Sequence, residues 1–203
     1  AFVYREMMFY GHRFFMASRD DALWQLRLGL NWAGSPGGHG IDAVIHHENT
    51  RKAHPEFYLQ VGDTRDTVSR GGKPCLSSEG LEKSNVEYAR FVSDHYGQRI
   101  LSVMPTDAYV SICQCAACKG KDTPERGGQG NLSDYVWGYV NRVATEFYKT
   151  HPDRQVSCYA YGAYLLPPER IDTFSPNVVV GICQGRSAFG NAELRDKNRA
   201  LRQ

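Results

Sequence analysis

Four cysteines carry the sharpest chemical signal in the chain: Cys75, and the tight run Cys113-x-Cys115-x-x-Cys118. One reading is a structural zinc site, because tetrahedral zinc accepts four thiolates, with Cys75 or a histidine such as His39 as the fourth ligand. The other is a pair of disulfides in a secreted protein, one within the cluster and one to Cys75. The spacing is tighter than that of paired CxxC knuckles, and it leaves both readings open. Either one staples the segment in which the cluster sits. A redox centre is not indicated, since no CxxC opens a helix after a strand. Cys158 and Cys183 fall in strand-like apolar runs and read as buried thiols.

A carboxylate is the second candidate. Asp107 follows Pro105-Thr106 at the abrupt end of the apolar run 99–104. Held behind a rigid proline, it is placed for general acid/base or nucleophile chemistry; the plainer reading is that it caps the turn. His39, set in Gly37-Gly38-His39-Gly40, suggests close approach of backbone and ligand. His46-His47-Glu48 has the composition of a metal site, but adjacent side chains diverge. Gly71-Gly72-Lys73 lacks the spacing of a phosphate loop, and no GxSxG elbow occurs.

These residues need elements to position them. Strand-like runs alternate with helical ones, which favours a parallel sheet with crossover helices. Strands are expected at 2–10, 55–61, 99–104, 155–161 and 177–183. Ser18 followed by Asp21 marks a helix start, although 24–32 also alternates as a strand would. A helix is expected over 79–96 with Leu81, Tyr88, Phe91 and Val92 inward. Another is expected over 132–149, capped by Asn131, with Asp134 at its positive end and Val136, Tyr139, Val140, Val143 and Phe147 in one stripe. Segments 64–74 and 108–130 read as loops, and 192–201 as a helix. In parallel α/β folds ligands meet the carboxyl ends of strands. That rule selects Tyr10, Gly11 and His12; Thr106 and Asp107; Tyr159, Tyr161 and Tyr164; and Cys183 and Gln184.

The fold class is therefore α/β. A complete (β/α)8 barrel takes roughly 250 residues, so 203 residues read as part of such a TIM-type barrel; an open parallel α/β sheet is the alternative. The chain starts directly in a strand-like run and stops in a helical one, so 1–203 reads as a fragment of one barrel domain, truncated at both ends. Its partners would include the rest of that barrel and further domains. A net charge of +2 with both signs scattered makes no electrostatic case for nucleic acid or a membrane surface. No apolar run approaches the roughly 20 residues of a membrane span.

Several phrases, in order along nearly the whole chain, resemble the bacterial domain-of-unknown-function family 4838. They are Tyr4-Arg5-Glu6; Gly37-Gly38-His39-Gly40; His54-Pro55-Glu56-Phe57-Tyr58; Pro74-Cys75-Leu76; Ser102-Val103-Met104-Pro105-Thr106-Asp107; Cys113-Gln114-Cys115-Ala116-Ala117-Cys118; Asn141-Arg142-Val143-Ala144; and Tyr159-Ala160-Tyr161 with Pro167-Pro168. That family is similar to (β/α)8 glycoside hydrolases, with alpha-glucuronidases and hexosaminidases as relatives. The resemblance implies a carbohydrate-active barrel, extracellular or periplasmic, in a multi-domain bacterial protein. The family's usual phrase has Asn where Thr106 stands here.

Three functions follow as expectations. The first is a glycoside hydrolase working through carboxylate acid/base chemistry, with no cofactor needed for catalysis. Such enzymes place two carboxyl groups roughly 5 Å apart for retention or 6.5–9.5 Å apart for inversion. Asp107 is the first candidate, with Glu6 and, more weakly, Asp42 as its partner. Arg5, His39, Thr106, Tyr161 and Tyr164 are candidates for holding sugar hydroxyls or a uronic carboxylate, for which the arginine fork is suited. The second is a non-catalytic carbohydrate-binding barrel, and the third a metal-dependent hydrolase with zinc at the cysteine cluster.

Overall fold

The computed structural model describes residues 38–67, 72–183 and 190–200. The chain divides into two units, Ala1–Pro36 and Gly37–Gln203, and every described residue belongs to the second. The strand expected at 2–10 and the helix or strand at 18–32 lie outside the described residues, together with Arg5 and Glu6.

The unit is α/β. Its centre is a three-stranded parallel sheet of β3 (Ile100–Ser102), β4 (Gln155–Ala160) and β5 (Val178–Ile182), in that spatial order. Register runs Ile100↔Gln155 through Ser102↔Ser157, and Val156↔Val178 through Ala160↔Ile182. Sequential strands are spatial neighbours, and the sheet does not close into a barrel among the described residues. Along β4, Val156, Cys158 and Ala160 are buried while Ser157, on the opposite face, is also buried. Burial on both faces is the mark of a parallel sheet.

Two long helices flank this sheet, the second, Ser133–Tyr148, packing on its strands and the first packing on the second. α3 (Glu79–Tyr96) begins where the Ser78 hydroxyl accepts the Leu81 N–H, with Glu79 and Glu82 in the positive first turn. It ends at Gly97, whose φ of 65° supplies the left-handed cap. α4 (Ser133–Tyr148) makes the crossover from β3 to β4. Its stripe of Val136, Tyr139, Val140, Val143 and Phe147 is buried as the spacing implied. Asn131 does not cap it: Leu132 occupies that position, with no side-chain cap. Asp134 instead accepts the backbone N–H groups of Glu169 and Arg170, holding the loop that follows β4. The buried face of α3 also departs from expectation. It is Leu81, Asn85, Val86, Ala89 and Ser93, whereas Tyr88 and Phe91 are largely exposed. The small side chains of Ala89 and Ser93 admit close packing against α4. Phe91 is left to stack on His95 at the rim.

The segment 55–61 is not one strand. It opens as a 3-10 turn, Pro55–Phe57, and only its end pairs, as β1 (Gln60–Val61) against β2 (Thr64–Arg65). Pro55 removes a ladder donor and favours a helical first turn. The Gly62-Asp63 turn then closes a hairpin inside what reads as loop, with Gly62 at φ 57°. Two short helices, α1 (Asp42–Ile45) and α2 (Glu48–Ala53), precede it, and α5 (Ala192–Ala200) is the last described element. Cys183 is exposed just beyond β5 rather than a buried strand thiol, while Cys158 is buried within β4.

Candidate functional site

At the carboxyl end of β3 the chain turns away through Pro105, Thr106 and Asp107. The neighbouring loop 38–41 is laid directly on β3. Its Ile41 N–H donates to the Met104 carbonyl (3.3 Å), and the Ser102 hydroxyl donates to the Gly38 carbonyl (2.5 Å). This approach requires glycine at position 40, because a Cβ there would stand 1.7 Å from the Ser102 carbonyl oxygen. The loop thereby delivers His39 to the strand end. Its Nδ1 lies 2.6 Å from the Pro105 carbonyl. A carbonyl can only accept, so Nδ1 carries the hydrogen and Nε2 is turned toward Asp107, 3.8 Å from Oδ1.

The same oxygen takes two donors. The Ala108 N–H donates at 2.8 Å, and the Tyr161 hydroxyl, from the end of β4, at 3.3 Å. The Asp107 side chain is still 69% exposed. Tyr161 is in turn affected: the Asp107 charge pushes its hydroxyl pKa upward, with burial a lesser cause. Thr106 is buried, and its hydroxyl donates to Asp42 Oδ1 (2.7 Å), which also faces His46 at 3.6 Å. Ala108 adopts φ 54°, a left-handed conformation costly for a residue with a Cβ, and its carbonyl accepts the Lys73 ammonium at 2.6 Å. Backbone strain therefore sits next to the exposed carboxylate.

Tyr164 takes a different place. It is fully buried, edge to face beneath Tyr161 at 6.3 Å, and its hydroxyl has no partner among the described residues. The Trp137 indole N–H donates to its carbonyl. His39, Thr106, Asp107 and Tyr161 thus come together from residues far apart in the chain, with Tyr164 beneath them.

The cysteines form a second, buried centre. The Sγ atoms of Cys75, Cys113, Cys115 and Cys118 all lie within 4.8 Å of one another. Cys75 is 3.8 Å from Cys115 and 3.5 Å from Cys118, and Cys115 is 3.5 Å from Cys118. Hydrogen bonding from Cys75, with help from Ser77, Tyr135 and Cys115, holds the Cys118 thiol well below its ordinary range. Hydrogen bonding to Cys118, together with burial, drives Cys75 up. His39 is not a member: it is committed to Pro105 and Asp107. A groove of about 290 Å³ runs past Leu76, Ser77, Lys121, Tyr135 and Arg142. It adjoins the cysteine centre and contains none of the strand-end residues.

A family model described as a domain of unknown function (DUF4838) matches residues 1–202. The chain belongs to DUF4838. No curated protein and no solved structure matches it. For this DUF4838 chain, the strand-end rule was signal enough to find Asp107, Thr106 and Tyr161. Lys73 and Tyr135 left no comparable trace, since their partners are set only by tertiary contact. No helix among the described residues is long and apolar enough to cross a membrane.

Proposed function

We propose that this protein is a glycoside hydrolase in which Asp107 works as an acid/base carboxylate. The observation that carries the reading is the convergence of His39 Nε2, the Tyr161 hydroxyl and the Ala108 N–H on one oxygen of an exposed carboxylate. That oxygen is oriented, while the side chain remains open to solvent. An oriented carboxylate can take a proton from an attacking water, or return one to a leaving oxygen when protonated. Tyr161 and His39 flank it with a hydroxyl oxygen and a ring nitrogen, both able to accept from sugar hydroxyls. The position, at the carboxyl edge of a parallel sheet, is where α/β folds place their ligands. Sequential strand order, with a helical crossover between β3 and β4, is compatible with part of a (β/α)8 barrel. The similarity of the DUF4838 family to barrel glycosidases, which the motif resemblance implies, points the same way, as does its implication of an extracellular or periplasmic site of action. Asp42, linked to the site through Thr106, and Glu6 are the candidates for the second carboxyl group.

The test is turnover of aryl glycosides, uronides included, and of natural glycans by the wild-type protein and by Asp107→Asn. The variant keeps the shape and the acceptor oxygen but cannot exchange the proton. Turnover is expected to fall roughly a hundredfold or more with an unchanged melting temperature. Equal turnover by the two proteins would remove Asp107 from the chemistry. Glycan binding without turnover by the wild type would make this a non-catalytic carbohydrate-binding domain.

A further inference from the structure

We propose that Cys75, Cys113, Cys115 and Cys118 bind one Zn²⁺ as a closed tetrathiolate centre, which fixes the segment that carries Asp107. The inference stands apart from the hydrolase reading and concerns different residues. Its first ground is shape. At a zinc–sulfur distance of about 2.3 Å, the sulfurs of a tetrahedron stand about 3.8 Å apart. The measured separations are 3.8, 3.5 and 3.5 Å, and the fourth sulfur is within 4.8 Å of the rest. Two disulfides would draw the sulfurs into two bonded pairs of about 2.05 Å each. Here Cys75, Cys115 and Cys118 instead form a near-equilateral triangle, the face of a tetrahedron.

The second ground is what surrounds the sulfurs. Metal-bound thiolates need donors that orient and stabilise them. The Gln60 N–H lies 3.3 Å from Cys113 Sγ, and the Tyr135 hydroxyl 3.1 Å from Cys118 Sγ. The Arg65 guanidinium stands beside the cysteines as their neighbouring cation, with its Nη1 anchored on the Tyr58 carbonyl at 2.7 Å. Four thiolates around a divalent cation leave two negative charges, and a cation with aimed N–H and O–H donors is the environment that such a centre requires. Neutral thiols, which are weak hydrogen-bond partners, would need none of it.

The third ground is the chain itself. From Val103 to Thr123 there is no helix or strand, yet Val103, Met104, Thr106, Tyr109 and Thr123 are buried along with the three clustered cysteines. A structureless run of this length is uncommon in a compact domain unless something ties it down. The cluster ties it to the N-terminal end of α3 through Cys75, to the β1–β2 hairpin through Gln60 and Arg65, and to α4 through Tyr135. All four sulfurs are protein-supplied and buried, so the coordination shell is closed. A catalytic zinc keeps a position open, and this centre is structural.

Elemental analysis of the purified protein, prepared without chelator, is the direct test. About one zinc per chain is expected, and Cys183→Ser should retain it. Cys118→Ser and Cys75→Ser should hold at least tenfold less. Tyr135→Phe keeps the ring and removes only the donor to Cys118, so it should fold and bind zinc roughly tenfold more weakly in a competition titration. Cobalt exchanged into the wild type should give the intense visible bands and near-ultraviolet charge transfer of a tetrahedral tetrathiolate. That readout needs no variant to fold. Three results overturn the proposal: disulfides among these cysteines in peptide maps of unreduced protein, iron in place of zinc, or wild-type protein that takes up no metal from excess zinc under reducing conditions.

Discussion

The placement of His39 rests on a contact that tolerates no side chain, and Gly40→Ala tests it. A Cβ at position 40 would stand 1.7 Å from the Ser102 carbonyl oxygen, 2.4 Å from its carbon and 2.9 Å from the Ser102 Cβ. Non-bonded contact needs about 3.5 Å, so the loop must retreat from β3 by about 1.8 Å. The obstacle is strand backbone, paired in turn with β4, and cannot swing aside as a side chain could. Retreat stretches the Ile41 N–H bond to Met104 O and the Ser102 hydroxyl bond to Gly38 O beyond bonding range. Each is worth about 0.5–1.5 kcal/mol net. Residual overpacking costs about 1–3 kcal/mol when unrelieved. Because retreat relieves crowding at the expense of the bonds, the two costs do not add in full, and a loss of about 2–4 kcal/mol is expected.

Urea denaturation of wild type, Gly40→Ala and Gly128→Ala measures this by linear extrapolation. Gly128 has open space around it, so its substitution should stay within about 0.5 kcal/mol of wild type. In Gly40→Ala the His39 imidazole resonances should shift as Nδ1 leaves the Pro105 carbonyl. A Gly40→Ala protein within about 0.5 kcal/mol of wild type, with unmoved His39 signals, would refute the seating of this loop on β3 and the orientation of His39 drawn from it.

Two further outcomes follow from buried polar groups. Asn85, on the buried face of α3, donates to the Tyr139 hydroxyl at 2.5 Å inside the α3–α4 interface. Asn85→Ala strands that hydroxyl and should cost about 1–3 kcal/mol; adding Tyr139→Phe should recover part of the loss in a double-mutant cycle, and full additivity would count against the bond. Burial pushes the hydroxyl pKa values of Tyr139 and Tyr164 far above their ordinary value of 10.0. The neutral form is favoured by the fold, so this contribution is complete below the unfolded value of about 10 and is lost as pH rises above it toward the folded values. Tyrosinate absorbance should therefore rise in two stages, the exposed rings first and the buried ones together with unfolding. A single smooth rise with intact circular dichroism would contradict the burial.

Much of the scaffold was legible because it is periodic or punctuated. Ser78 before Glu79, Gly97 after Tyr96, and the stripe from Val136 to Phe147 mark two helices whose bounds come out almost as read. Short elements escape this logic. Asp42–Ile45 and Glu48–Ala53 are too brief to show a period, and two-residue strands around Gly62-Asp63 look like any polar loop. On α3 bulk does not mark burial. Where two helices pack closely, small residues such as Ala89 and Ser93 mark the contact, and Tyr88 and Phe91 are pushed to its margin. Asn131 fits a cap by type, yet Leu132 holds that position, because the loop after β4 is anchored by Asp134 from within the first turn.

The site itself was legible only where chain direction constrains it. Asp107 and Tyr161 follow strands, so a parallel sheet must bring their loops to one edge, whatever the details of packing. His39 and Asp107 are joined by a loop laid across β3, with His39 and Pro105 standing 66 positions apart, and no local pattern encodes that distance. Its trace is the glycine at 40, which marks a close approach without naming its partner. The strained Ala108 is similarly silent in sequence. A residue held at φ 54° beside an exposed carboxylate persists only when its surroundings over-determine it. Three anchors do so here: Lys73 on the Ala108 carbonyl, the Tyr109 hydroxyl on the Pro74 carbonyl at 2.8 Å, and the buried cysteines that follow. Two of the three tie the Asp107 loop to the stretch 73–75, which leads directly into Cys75. The cysteine centre and the carboxylate are therefore mechanically one unit, and loosening the first should be felt as disorder at the second before it is felt in the sheet.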